Sequence, residues 1–192
     1  MKAMFEGEAV SHETRDHLDR CLTCRSCETT CPSGVEYGHL VDLGRVVVEQ
    51  KAPRSKVQRL VRWSLRQVLP YRARFGPLLK LGQTFRPLLP TVLKQHLPKL
   101  VKRLKQPQAS HNRVMLSLPG CAQASAAPNT DIAAAQVLNK LGIQLKVLHQ
   151  TGCCGAVDHH LNAHEAALIK ARHNIDLVWP ELQAGAEAIV VT

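Results

Sequence analysis

The sequence has few aromatic residues and no long apolar run. Phe, Trp and Tyr make up 4% of its 192 residues, so any core must be built mainly from aliphatic side chains. No run of roughly 18 or more apolar residues occurs, which excludes a transmembrane helix. The first twenty residues lack the apolar segment of a secretory signal peptide. These absences predict a cytoplasmic, reducing location.

Acidic residues are missing from a long middle segment. Lys51–Thr130 contains sixteen Lys and Arg residues and no Asp or Glu, whereas residues 1–50 contain five basic and nine acidic residues. The net charge of +10 therefore belongs to the middle of the chain. A basic amphipathic segment is typical of proteins that dock on an anionic membrane face or an acidic partner, and a solvated linker is the alternative. No nucleic-acid motif accompanies the charge, so we expect no nucleic-acid partner.

Cysteine, by contrast, is clustered. Four of the seven cysteines lie in CLTCRSCETTCP with the spacing C-x2-C-x2-C-x3-C-P: Cys21, Cys24, Cys27 and Cys31. This spacing is that of bacterial ferredoxins and predicts an iron–sulfur site. Zinc sites usually space their cysteine pairs more widely, and an odd number of cysteines without a signal peptide argues against a disulfide framework. Thr23, Ser26, Thr29 and Thr30 offer hydroxyls that can hydrogen-bond to sulfur.

The pattern of apolar residues divides the chain into three segments, with an α+β fold overall. Residues 1–50 predict a helical 4Fe–4S ferredoxin-like module, with Ser11 capping one helix and another running to about Gln50. Residues 51–110 predict a basic, Pro- and Leu-rich helical linker, in which Pro70 ends one helix and later prolines such as Pro77 interrupt the chain. Residues 111–192 alternate strands and helices, which predicts a Rossmann-like parallel α/β domain.

Within this last segment the elements can be placed more closely. Strands are expected at Val114–Leu118, Ile143–Leu148 and Ala188–Val191. Asn129 or Thr130 is expected to cap the helix between the first two strands. Asn162 with Glu165 resembles a capping box for the next helix, which is expected to end near Pro180.

A second cysteine group follows the predicted strands. Cys121 follows the first strand, and Cys153 and Cys154 follow the second, with thirty-one residues between Cys121 and Cys153. Loops after neighbouring parallel strands open on one edge of the sheet, so these thiols are expected to meet. A metal or redox site, ordinary buried thiols and a vicinal disulfide are the alternatives. Four histidines close by are not assigned as ligands: His149, His159, His160 and His164.

Several stretches together carry a family resemblance: DHLDRCLTCRSCETTCPSGV, LPGCAQ, APNT, TGCCGAVDHHLNAHE and AGAEAIVVT. They resemble the iron–sulfur subunit of bacterial glycolate oxidase, including the cysteine-rich CCG domain shared with heterodisulfide reductase and anaerobic glycerol-3-phosphate dehydrogenase subunits. That family has two ferredoxin-type runs followed by two CCG domains. The chain resembles the second run and most of the first CCG domain, so the resemblance implies an internal fragment truncated within that domain.

The resemblance implies an electron-transfer subunit that passes electrons from a flavin-containing glycolate oxidase subunit, which oxidises glycolate to glyoxylate, toward a membrane acceptor. By the family pattern, Cys21, Cys24 and Cys27 ligate one 4Fe–4S cluster, and Cys31 ligates another whose remaining ligands would precede Cys21. A further iron–sulfur site is expected at the CCG motif: Cys121, Cys153 and Cys154. Nothing in the sequence matches a flavin site or a positioned acid–base pair, so no catalytic residue is predicted.

The absence of a signal peptide and the basic middle segment together favour a cytoplasmic protein that lies peripherally on the cytoplasmic face of the inner membrane. One alternative is an iron–sulfur subunit of a related oxidoreductase, of the anaerobic glycerol-3-phosphate dehydrogenase, lactate-utilisation or heterodisulfide reductase type. Another is a metal or thiol binding protein whose basic middle segment docks to a membrane or acidic partner without electron transfer. The third is a non-functional truncated remnant.

Overall fold

The computed structural model describes residues 2–108 and 110–191, which form two compact units divided between Trp63 and Ser64. The helices are α1 (Lys2–Phe5), α2 (His12–Arg20), α3 (Ser26–Thr29), α4 (Tyr37–Lys51), α5 (Lys56–Val68), α6 (Arg72–Thr84), α7 (Thr91–His96), α8 (Gln123–Ala126), α9 (Asn129–Lys140), α10 (Ala156–His160) and α11 (His164–Gln183), with a 3-10 turn at Arg86–Leu88. The strands are β1 (Arg113–Ser117), β2 (Ile143–Val147) and β3 (Ala188–Val190). The predicted domain division at 1–50, 51–110 and 111–192 stays a prediction.

The N-terminal unit is built on α2 and α4, which pack against each other along an aliphatic core. Ser11 caps α2 as predicted, because its hydroxyl accepts the Thr14 N–H at 3.2 Å. The core side chains are Met4, Leu18, Val41, Val48 and Ala52. Burying an aliphatic side chain of the size of Leu or Val contributes about 1.5–3 kcal/mol, so α2 and α4 form a firm base for the cysteine loop between them.

The C-terminal unit contains a parallel sheet in the order β2-β1-β3. Arg113 pairs with Ile143 and Ser117 with Val147, while Leu116 of the central strand pairs with Ile189 on the other side. Leu116 and Ser117 are fully buried, and α9 packs against β2. The α+β class and the three parallel strands therefore agree with the sequence-based prediction. No helix in residues 2–108 or 110–191 combines the length and apolar character needed to cross a bilayer.

Two predicted side-chain caps are wrong, although α9 begins at Asn129. No side chain caps α9, because Asn129 instead accepts the Leu104 N–H at 2.9 Å and donates to the Lys102 carbonyl at 2.8 Å. Asn162 does not cap α11, since it has a left-handed φ of +60° and Ala163 takes the position before the helix. Tertiary contacts and turn geometry outweigh local capping preference at both places.

Two prolines also lie inside helices, where the sequence predicted interruptions. Pro77 lies within α6, and α11 continues past Pro180 to Gln183. A proline inside a helix removes one backbone hydrogen bond. The helical hydrogen bonds resume after Pro180, where the Ala184 N–H donates to the Pro180 carbonyl at 2.9 Å. One lost bond therefore ends neither helix.

Candidate functional site

The first cysteine group lies on the loop that joins α2 to α4 and includes the short helix α3. Thr23 and Arg25 in this loop adopt left-handed backbone conformations, with φ of 53° and 59°. A left-handed conformation is uncommon for a residue other than glycine and costs most for a β-branched one such as Thr23. The strained loop therefore depends on contacts with the surrounding structure to keep its shape.

Arg45 of α4 holds the start of this loop. Its guanidinium donates to the carbonyls of Leu18 and Cys21 at 3.1 and 2.8 Å and to the Thr23 hydroxyl at 3.2 Å. The Arg45 residue is 7% exposed, so a buried guanidinium makes these charge-assisted hydrogen bonds. Arg45 thereby fixes the end of α2 and the first cysteine against α4.

Glu28 holds the other end of the loop. Its carboxylate accepts the Gly38 N–H in the first turn of α4 at 2.5 Å, where a negative charge also meets the positive end of the helix dipole. A Cβ on Gly38 would stand 2.8 Å from both the Glu28 carboxylate and the Arg25 guanidinium. Glycine at this position thus allows Glu28 to approach the helix backbone.

The thiols of the first group are accessible. Cys21, Cys24 and Cys27 are exposed and Cys31 is half-buried. Hydrogen bonds from the Ser26 hydroxyl and backbone N–H lower the pKa of Cys24 below its usual value. The backbone N–H groups of Val35 and Ser33, together with the Tyr37 hydroxyl, lower the pKa of Cys31.

The four hydroxyls of the loop play different parts. Ser26 is the one that contacts sulfur, at Cys24. Thr29 and Thr30 instead donate to the Ser26 carbonyl at 3.1 and 3.0 Å, and Thr23 accepts from Arg45. The threonines therefore shape the loop, while Ser26 contributes to the acidity of a thiol.

The second cysteine group lies at one edge of the sheet, where β1 and β2 end. Arg72 of α6 donates to the carbonyl of Pro119, just before Cys121, and to the carbonyl of Thr151 at 3.5 Å, in the loop that contains Cys153. One guanidinium thus joins the two loops that carry these cysteines. The sequence predicted that the loops after these neighbouring strands would meet. It did not indicate that an arginine side chain bonds to both of them.

Asn174 of α11 also holds the loop that contains Cys153. Its side-chain oxygen accepts the Gly152 N–H at 2.9 Å, and its nitrogen donates to the Cys153 carbonyl at 3.2 Å. Gly155 then turns the chain with a φ of +90°, and a Cβ there would stand 2.7 Å from the Ala167 carbonyl oxygen. The close approach of this loop to α11 therefore requires glycine at position 155.

The three thiols of the second group form a hydrogen-bonded chain. The Cys153 thiol donates to the Cys121 sulfur, and this bond lowers the pKa of Cys121 to about 6. The same bond raises the pKa of Cys153, and the bond between Cys154 and Cys153 raises the pKa of Cys154 well above its usual range. Cys121 is therefore the thiol of the group that ionises most readily.

A buried carboxylate supports the helix that follows this loop. Asp158 of α10 is 2% exposed; it accepts a hydrogen bond from Lys170 of α11 and another from Arg66 at 2.8 Å. Burial alone would raise the pKa of Asp158, but the hydrogen bonds and charges of Lys170 and Arg66 outweigh it and lower the pKa. Asp158 thus joins α5, α10 and α11 close to the cysteines.

Three of the four histidines near this group also lie together. The Nδ1 atoms of His159 and His164 are 3.2 Å apart, and the His160 ring packs edge-on against His159. These three histidines and Cys154 line an open groove of about 510 Å³. His149, by contrast, is exposed.

Neither cysteine group surrounds a single point in the structure. Throughout the described residues, no three His, Cys, Asp or Glu side chains are arranged to hold one metal ion. All seven cysteines are free thiols, including the neighbours Cys153 and Cys154. The structure therefore places thiols close together in two regions, but their sulfur atoms do not point at a common position.

The residues that position both groups were missed by sequence reasoning. Arg45 had a detectable signal, because it lies between Val41 and Val48 on the buried side of α4, where a charged residue needs a specific partner. Arg72 and Asn174 had none, since their backbone partners are remote in sequence.

The comparisons with known proteins agree with these motifs. The profile of the cysteine-rich domain family CCG matches residues 115–192. Over its full length, the chain is 51% identical to the glycolate oxidase iron–sulfur subunit of Escherichia coli strain K12. The chain is a relative of glycolate oxidase iron–sulfur subunits. The resemblance read from the sequence motifs is thereby confirmed.

A more distant relative extends the comparison. The probable glycolate oxidase iron–sulfur subunit of Bacillus subtilis strain 168 is 25% identical over 202 residues, a stretch that includes 91% of this chain. The match covers 47% of the Escherichia coli protein and 46% of the Bacillus subtilis protein, so the chain spans about half the length of the curated relatives it matches. No solved structure matches the chain.

Proposed function

We propose that this chain is an iron–sulfur electron-transfer subunit of the glycolate oxidase type. It receives electrons from a flavin-containing partner that oxidises glycolate to glyoxylate and passes them toward a membrane acceptor. The observation that carries the proposal is the run of four accessible thiols on a loop that Arg45 and Glu28 hold at its two ends. The names of the two relatives support the same function.

The donor chemistry of the first group fits a 4Fe–4S cluster. Such a cluster is held by cysteine thiolates and, when bound, stores and releases single electrons. Cys24 and Cys31 have lowered pKa values, which favour the ionised form that binds iron. In this proposal Cys21, Cys24 and Cys27 hold one cluster and Cys31 serves a second, within a helical ferredoxin-like unit.

The second cysteine group is proposed as a further iron–sulfur site in a Rossmann-like CCG domain. Arg72 and Asn174 hold the loops of Cys121 and Cys153 next to each other at the sheet edge. The lowered pKa of Cys121 makes it the thiol best prepared to bind a metal. Cys154 adjoins Cys153 and completes the set of three.

We further propose a peripheral position on the anionic cytoplasmic face of a membrane. The segment without acidic residues also presents apolar side chains to solvent, and on α5 these include Val57 at 70%, Leu60 at 61% and Trp63 at 56% exposure. Apolar residues interspersed with Lys and Arg are typical of helices that lie on anionic lipid surfaces. The alternative for this segment is a solvated linker.

The proposal is tested by anaerobic reconstitution of the full chain with iron and sulfide, followed by iron counting and electron paramagnetic resonance. Cys24→Ser is expected to abolish the signal of the first cluster and to lower the iron content by that cluster's share, because it removes one of three ligands. Cys31→Ser, the matched variant in the same loop, is expected to keep the iron content of the first site. Zinc binding in place of iron, or equal loss in both variants, would contradict this assignment.

A further inference from the structure

The C-terminal unit contains a cleft of about 480 Å³ that the electron-transfer proposal does not use. One wall is α6, the other is the extended segment 98–105, and the residues after Cys121 form the floor. Four cationic side chains line it, two from α6 and two from the extended segment: Arg72, Lys80, Lys99 and Arg103. Gln83 and Ser125 add neutral hydrogen-bonding groups.

Side chains of α6 and α9 hold the extended segment in place. The Gln83 amide donates to the Pro98 carbonyl at 3.1 Å. Asn129 bonds to the backbone of Lys102 and Leu104, and the Gln136 amide donates to the Lys105 carbonyl at 2.9 Å. The segment has no regular secondary structure, yet its backbone is fixed at both ends, so the cleft has defined walls.

The charges of this cleft lack carboxylate partners. In the part of the chain that the structure describes, no ion pair involves Lys80, Lys99 or Arg103, whereas Arg54 and Arg66 each pair with a carboxylate. No acidic residue lines the cleft. Several cations around a concave surface raise the local positive potential, which attracts an anion.

We propose that this cleft binds the phosphate group of a phosphorylated ligand. A guanidinium fork, ammonium groups, an amide and a hydroxyl together match the several acceptor oxygens and the double charge of a phosphate. The volume is in the range of small-molecule sites, so there is room for a phosphate with an attached group. The source is either a soluble phosphate ester or the headgroup of an anionic phospholipid.

The position of the cleft gives such a ligand access to the second cysteine group. Arg72 lines the cleft and also bonds to the carbonyls of Pro119 and Thr151. Ser125 belongs to the short helix that follows Cys121. A bound phosphate therefore contacts the residue that joins the two cysteine-bearing loops.

The test uses isothermal titration of the full chain with inorganic pyrophosphate, without iron. Wild type is expected to bind saturably, and the triple variant Lys80→Ala, Lys99→Ala, Arg103→Ala to bind at least about tenfold more weakly, because each charged hydrogen bond is worth roughly tenfold or more. The matched control removes three charges from the same basic segment but not from the cleft: Lys94→Ala, Lys102→Ala and Lys105→Ala. It is expected to bind like wild type.

A second arm separates the two phosphate sources. Sedimentation is measured with vesicles of phosphatidylcholine and phosphatidylglycerol. Pyrophosphate binding lost in the cleft variant alone, with vesicle retention unchanged, identifies a soluble phosphate ester. Pyrophosphate binding and vesicle retention both lost in the cleft variant alone identify a lipid headgroup. Equal weakening of the cleft variant and the control, or no saturable binding of wild type to either probe, overturns the proposal. Circular dichroism confirms that each variant is folded.

Discussion

At the scale of single residues, both cysteine groups depend on polar side chains that bond to backbone carbonyls and N–H groups. Arg45 bonds to the carbonyls at the start of the first loop, and Arg72 and Asn174 bond to the backbone of the second group. A buried guanidinium left without partners is costly, so these bonds specify one loop arrangement. The shape of each cysteine-bearing loop therefore depends on these positioning residues.

Replacing Arg45 tests this role in the first loop. Arg45→Ala is expected to lower the free energy of unfolding of the N-terminal unit by about 2–4 kcal/mol, because three charge-assisted hydrogen bonds of a buried guanidinium are lost. The measurement is urea unfolding followed by circular dichroism. Arg20→Ala, at an exposed position on α2, is the matched control and should change stability by less than about 0.5 kcal/mol. Similar losses for both variants would argue against the clamp.

The second loop contains two glycines, Gly152 and Gly155, whose replacement by alanine should affect stability differently. Gly155→Ala is expected to destabilise the C-terminal unit by about 2–4 kcal/mol, since Gly155 has a φ of +90° and the new methyl group would meet the Ala167 backbone. Gly152→Ala serves as the control, because nothing lies within 4 Å of a Cβ at that position. Thermal unfolding of both variants checks the prediction, which fails if the two midpoints shift equally.

At the scale of helices and strands, much of the fold follows from the sequence pattern. The alternating strands, the helices α2 and α4 and the basic helix α5 lie where apolar periodicity predicts them. The errors occur at Asn129, Asn162, Pro77 and Pro180. A remote contact decides the outcome at Asn129, a turn conformation at Asn162, and the continuing helix at the two prolines. Local preferences are worth about 1 kcal/mol, which such effects readily exceed.

The candidate site was also predictable in part. The meeting of Cys121 with Cys153 follows from parallel strand order, which is a property of topology. The roles of Arg72 and Asp158 were not predictable. The partners of Arg72 lie forty or more residues away along the chain, and those of Asp158 lie on two other helices. Pairings of this kind depend on the finished packing of helices, on which periodicity carries no information.

The ion pairs of Asp158 give α10 and α11 a specific pH dependence. Asp158 has an ordinary pKa of 3.8 that the fold lowers. Its stabilisation is therefore complete above pH 3.8 and is lost as the pH falls through the lower value of the folded state. Asp158→Asn is expected to remove this acid-sensitive step and to cost about 2–4 kcal/mol at neutral pH.

Unfolding measured between pH 2 and pH 7 checks this expectation. The control is Asp176→Asn, at an exposed position on α11, which should keep the acid-sensitive step. A wild-type curve without that step, or one in which Asp158→Asn retains it, would contradict the assignment to Asp158.

At the scale of the whole molecule, the charge is distributed along the chain in blocks. The net charge of +10 comes from the middle segment, while residues 1–50 have an excess of acidic side chains. Exposed charges are screened by salt over about 10 Å at 0.1 M ionic strength. Any association that depends on the middle segment should therefore weaken as salt is added.

Vesicle binding tests the membrane proposal at this scale. The full chain is expected to sediment with vesicles that contain phosphatidylglycerol at low salt and to be released at high salt, whereas vesicles of phosphatidylcholine alone should retain little. Leu60→Ser should weaken retention severalfold without loss of stability, because Leu60 is 61% exposed. Equal binding to neutral vesicles, or an unchanged Leu60→Ser variant, would favour the solvated linker.

The spacing of the two cysteine groups along the chain bears on the order in which they become available during synthesis. Cys21 to Cys31 lie within eleven residues, so their thiols are neighbours as soon as that stretch leaves the ribosome. Cys121 and Cys153 have thirty-one residues between them and meet only after β1 and β2 have paired. Closing that longer loop must await folding of the sheet. Under the proposed function, a maturation system that delivers iron would therefore meet the first group on a nascent chain and the second only on a folded one.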